Sequence, residues 1–92
     1  MASHNVNLQW AASTDSVSGY NIYRGSAAGQ ETTLLTPTPI TTLTFDDTTE
    51  TAGIWFYVVK SVLNGVESNA SNEVTVTLRP APPTNLVVVS SN

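Results

Sequence analysis

Apolar and polar positions alternate along this chain wherever they form a pattern at all. Val6, Leu8 and Trp10 alternate with Asn5, Asn7 and Gln9, which predicts a strand with one apolar face. Residues 11–19 are polar and end at a glycine, as a loop would. Residues 20–24 predict a second strand, with Tyr20 and Ile22 on one face and Tyr23 on the other. Residues 25–30 form a turn rich in small side chains. A short β-prone run at 32–35 meets Pro37 and Pro39. Neither proline can donate to a ladder, so that stretch belongs at an edge or in a loop. Alternation resumes over 41–45, with Leu43 and Phe45 facing the same way.

The strongest segment is residues 54–62, IWFYVVKSV. Its continuous aromatic and β-branched character predicts a central strand covered on both faces. Asn64-Gly65 supplies the pair that tolerates positive φ in a tight hairpin turn. Val74, Val76 and Leu78 then alternate with threonines in a return strand. No segment shows a 3.6-residue period with caps. Short strands punctuated by turns predict an all-β sandwich or barrel. Beyond residue 79 the pattern changes. Residues 80–84 (PAPPT) predict a stiff, extended linker. Asn85, Leu86, Val87, Val88 and Val89 predict one more strand before a polar end.

Composition narrows the classes. With 92 residues, 40% of them hydrophobic, the chain fits one small domain that buries roughly 60–65% of its unfolded surface. It has no cysteine, so no disulfide supports that core. No stretch reaches the roughly 18 apolar residues of a helical membrane span. Arg24, Lys60 and Arg79 face seven acidic residues, a net charge of −4. That balance argues against nucleic acid and against insertion into or binding to an anionic membrane. Met1-Ala2-Ser3 opens without the basic and apolar regions of a signal peptide. The expectation is either an intracellular protein or a piece of a longer secreted one.

Catalytic chemistry is undersupplied, and no cofactor or metal site is expected. His4 is the only histidine, and no cysteine exists to join it around a metal. Asp46 and Asp47 point to opposite faces of any strand, so they read as turn caps rather than a catalytic or calcium-binding pair. Glu67 and Glu73 belong to the return after the central strand, and the sequence does not place them opposite each other as a glycosidase requires. No nucleophile elbow or phosphate loop occurs. Asn69-Ala70-Ser71 satisfies the glycosylation sequon, a match that arises often by chance in Asn/Ser-rich sequence.

One surface stands out. If Trp55, Tyr57 and Val59 face the core, Phe56 and Val58 face outward beside Tyr23. Such a cluster marks a protein or polysaccharide partner surface. The competing reading is ordinary cross-strand packing, with the stems of Lys60 and Arg24 lying over it.

Taken in order, Val6-Asn7-Leu8-Gln9-Trp10, Ser18-Gly19-Tyr20-Asn21-Ile22-Tyr23-Arg24, Thr44-Phe45-Asp46-Asp47-Thr48, residues 55–62 and residues 67–76 resemble strands B, C, E, F and G of the fibronectin type III family, particularly its bacterial extracellular members. The resemblance implies an immunoglobulin-like, two-sheet Greek-key sandwich of about seven strands. Trp55 stands where the family usually has a tyrosine that bonds back to the backbone, and Glu50 stands where an apolar residue is common. Strand A is displaced. Residues 1–79 supply the core from B to G, and residues 85–92 resemble the family's opening strand.

That order has two readings. In one, residues 80–92 begin the next domain of a tandem array. In the other, Leu86, Val87, Val88 and Val89 complete a neighbouring copy, giving a swapped homodimer or a head-to-tail assembly. The family resemblance implies a non-catalytic spacer or interaction unit of a larger secreted or surface protein. A self-assembling subunit and a carbohydrate-binding module are the alternatives.

Overall fold

The computed structural model describes residues 4–50 and 52–91, and for residues 4, 49 and 50 the backbone alone. Seven strands are present: β1 (His4–Gln9), β2 (Gly19–Gly25), β3 (Thr33–Leu34), β4 (Thr44–Glu50), β5 (Gly53–Leu63), β6 (Val66–Glu67) and β7 (Val74–Leu78). Among the described residues there is no helix, so none could cross a membrane. The fold is all-β and sandwich-like, in two sheets. One holds only β1 and β4, and the other runs β3-β2-β5 with β6 and β7 both on the far side of β5. Every strand pairing is antiparallel.

The alternation read from the sequence sets what faces inward. Val6, Ile22 and Tyr57 form the buried centre, and Ile22 and Tyr57 are 0% and 1% exposed. Leu8 and Phe45 from the smaller sheet and Trp10 just beyond β1 pack on them, as do Trp55, Val59, Val76 and Leu78 from the larger. β5 is the central strand, with β2 on one side and β6 and β7 on the other. The hairpin turn after it has φ of 53° at Asn64 and 77° at Gly65. Both values are those that an Asn-Gly pair tolerates at low cost.

Between β6 and β7 the edge is held by serines. Ser68 and Ser71 donate their backbone N–H groups to the carbonyls of Ser61 and Val59 at 2.8 Å each. Their hydroxyls accept the N–H groups of Ser61 and Val59 at 2.9 Å. Hydroxyls thus replace missing backbone acceptors along an interrupted strand, and β5 keeps its ladder satisfied. The sequon serine is one of these two.

Three expectations change. The fourth strand begins at Thr44 rather than 41 and runs through Asp46 and Asp47 to Glu50, because threonines carry β propensity past the two aspartates. Leu43 lies before the strand and its carbonyl accepts the Trp10 N–H at 3.0 Å. The strand expected at 85–89 does not form. Residues 80–91 make no backbone hydrogen bond among the described residues, and a strand exists only by pairing. Leu86 and Val89 are 98% and 93% exposed. The radius of gyration, 17.9 Å, accordingly exceeds the roughly 12 Å of a compact chain of this length.

Candidate functional site

The outer face of the larger sheet carries the expected surface residues, and pairing decides how they sit. Tyr23 lies directly opposite Val58, and Gly25 opposite Phe56. Gly25 cannot be replaced there, because a Cβ would stand 2.1 Å from the Gln30 carbonyl oxygen. Val58 does lie off the core cluster, as alternation predicts, but it is only 6% exposed. A central strand is shielded from the sides by its neighbours even on its outer face. The accessible part of the expected surface is therefore Tyr23 and Phe56, both half-buried.

Around Tyr23 stands a polar set that the sequence did not reveal. The Asn21 side-chain amide donates to Glu67 Oε2 at 2.8 Å, and the Tyr23 hydroxyl donates to the same oxygen. Lys60 Nζ sits 4.8 Å from the Tyr23 ring centroid, a cation–π distance. Asn21 is buried, and its carbonyl oxygen accepts the Thr36 hydroxyl at 3.2 Å. The hydrogen bonds from Tyr23 and then Asn21 hold the Glu67 carboxyl below its ordinary value, with Lys60 adding to the effect. The bond to Glu67 conversely raises the Tyr23 phenol. The hairpin register carried the missed signal, since Asn64-Gly65 sets Glu67 opposite Val62, one strand away from Asn21 and Tyr23.

Arg24 does not lie on this face. It alternates inward with Tyr20 and Ile22, and its Nη1 meets Asp47 Oδ2 at 2.9 Å. The Tyr57 hydroxyl donates to the same Asp47 oxygen at 2.9 Å, and the Arg24 guanidinium lies 5.4 Å from the Trp55 ring centroid. Asp47 is 4% exposed, whereas Asp46 faces solvent. The opposition of the two side chains is as alternation requires. The turn-cap role is corrected, because both residues lie within β4. Asp47 instead ties the two sheets together across the core, where a buried carboxylate needs charged and hydrogen-bonding partners.

The other acidic residues serve separate partners. Glu73 accepts the Gly29 N–H at 2.7 Å, and its carboxyl lies against that of Glu31. Shared hydrogen bonding raises Glu31 and, with the Gly29 N–H, lowers Glu73. Glu67 and Glu73 therefore act in different clusters. The His4 and Glu50 side chains lie outside the described residues. Among the described residues, no three His, Cys, Asp or Glu side chains are grouped to hold a metal ion. The outer face of the larger sheet presents aromatic, carboxylate and ammonium groups together at Tyr23, Glu67 and Lys60. No protein-family model matches this chain, and neither a curated protein nor a solved structure does.

Proposed function

We propose that this chain is a non-catalytic fibronectin type III-like module, a spacer or interaction unit of a larger secreted or surface protein. The observation that carries the reading is how the strands divide between the sheets. In immunoglobulin-type sandwiches strands B and E share one sheet, and C, F and G share the other. With β1, β2, β3, β4, β5 and the β6–β7 edge read as B, C, C′, E, F and G, the pairing of β1 with β4 and of β2 with β3 and β5 supports that order. The extracellular setting rests on the family resemblance alone.

A spacer must resist extension as one unit. Pulled between handles fused at its two ends, the chain should give a single unfolding event. Residues 4–78 extend to about 250 Å at about 3.4 Å per residue, and the gain should be that length less the folded separation of their ends. Extension without a force peak would overturn the spacer role. A carbohydrate-binding role has less support, because Lys60 covers the Tyr23 ring and Glu67 occupies its hydroxyl. Glycan-array binding that is lost in both Tyr23→Ala and Phe56→Ala would replace the spacer reading.

A further inference from the structure

The two sheets are unequal, and the imbalance leaves a strip of core without cover. β4 lies against β2 and β5 through the Asp47 contacts to Arg24 and Tyr57, and β1 lies beside β4. Among the described residues, no strand of the smaller sheet lies beyond β1. A groove of about 160 Å³ opens there, between Leu8 of β1 and Trp10 just after it, Tyr57 and Val59 of β5, and Val74 of β7. Val74 is exposed, and Val76 and Leu78 on the same face are only half-buried. Trp10 Nε1 is buried without a hydrogen-bond partner, although buried indole N–H groups usually find one.

Among the described strands the outer edges of β1, β3, β4, β6 and β7 are free, and they are not equivalent. β3 and β6 have two residues each. β7, VTVTL, is uncharged, but a strand added to it would lengthen the larger sheet and leave the groove uncovered. β4 carries Asp46, Asp47 and Glu50 within TFDDTTE, and acidic charge discourages edge pairing. β1, HNVNLQ, contains no Lys, Asp, Glu or Pro. It therefore lacks the usual devices that stop another strand from adding. Every second residue of β1 turns its N–H and C=O away from β4.

The chain also holds a segment suited to that edge. Leu86, Val87, Val88 and Val89 are exposed and make no backbone hydrogen bond. Four residues of strand span about 13 Å and the six of β1 about 20 Å at about 3.3 Å per residue, so the segment fits within that edge. Alternate residues would place two branched side chains over Val74, Val76 and Leu78. The segment does not seat on its own chain, where the linker with Pro80, Pro82 and Pro83 carries it outward.

We propose that the free edge of β1, with the groove beneath it, is an acceptor site for the strand at residues 86–89 of a second copy of this chain. Backbone pairing supplies attachment, and the groove selects the alternate side chains. Reciprocal exchange closes a dimer, and one-way exchange builds a head-to-tail chain. The proposal needs only the two unequal sheets and is independent of the family reading. A failed pulling experiment would leave it standing.

The test uses the full chain and Val88→Pro, which removes a donor from a segment that contributes nothing to the isolated fold. Sedimentation equilibrium from about 1 µM to about 1 mM covers the affinities of weak strand addition. The wild-type average mass should rise to twice the single-chain mass or beyond. Amide protection should grow together at 5–9 and 86–89. Val88→Pro should stay monomeric at every concentration, with the melting temperature of the dilute chain unchanged. A strict wild-type monomer overturns the proposal, and so does association that survives Val88→Pro. Protection of 86–89 that is independent of concentration also overturns it, because the strand would then be seated on its own chain.

Discussion

Residues 54–59 and residues 86–89 are written in the same local language, yet they meet opposite fates. Both are short runs of aliphatic or aromatic residues with high β propensity. The first lies in β5, paired on both sides, with Tyr57 1% exposed. The second is unpaired and lies in solvent. The difference is not propensity but supply of partners. β5 is reached by a hairpin on one side and by β2 on the other, while the second run follows a linker that leads away from every edge of its own chain. A strand is a relation between segments, and its sequence states only half of that relation.

That contrast can be broken most severely at its buried end. Tyr57→Ala should cost about 4 kcal/mol, the usual range for removing a buried aromatic ring, read as a lowered urea midpoint. Asp47→Ala should cost about 3 kcal/mol, because it removes a partner of a half-buried guanidinium. Tyr57→Phe should cost about 1.5 kcal/mol alone, the worth of a hydrogen bond to a charged group. In the Asp47→Ala background it should cost much less, and a full additive cost would show that the two side chains do not act together.

The outer face should respond to pH rather than to truncation. The folded Glu67 carboxyl lies below its ordinary value of 4.5. Its contribution is therefore present above that value and lost as pH falls through the folded pKa. The folded Tyr23 phenol lies above its ordinary 10.0, so the same bond is lost as pH rises through that raised value. Melting temperatures of wild type and Tyr23→Phe should differ most between these limits and converge toward both. A constant offset across the whole range would assign the effect to packing. Glu31, raised by Glu73, works the other way from Glu67: its contribution is present at low pH and fades as pH rises.

The smallest expected effect sharpens the comparison most. Val88→Ala in dilute protein should change stability by no more than about 0.5 kcal/mol, as for a surface position without contacts. A loss comparable to Tyr57→Ala would mean that residues 86–89 are packed on their own chain after all.

Much of the framework was legible before any coordinates. Val6, Leu8 and Trp10, Tyr20 and Ile22, and the run at 54–62 declared their strands and inward faces by period alone. Asn64-Gly65 declared its turn, because positive φ is a local property of those two residues. The candidate surface was less legible. Alternation gave the direction of Val58 but not its burial, which depends on flanking strands. Arg24 was set on the outer face with Lys60, although its parity with Ile22 places it inward.

What the sequence determined by itself is therefore local: which segments extend, which face of each is apolar and where the chain turns. These follow from the two-residue repeat of a strand and from the φ preferences of individual residues. Only the tertiary structure decided which segments meet. It joined Asp47 to Arg24 and Tyr57 across 23 and 10 positions of chain, and Glu67 to Asn21 across 46. Among the described residues it also left β1 with one neighbouring strand and residues 86–89 with none. Such meetings depend on register and on the reach of the connecting chain, and no single window of sequence contains either.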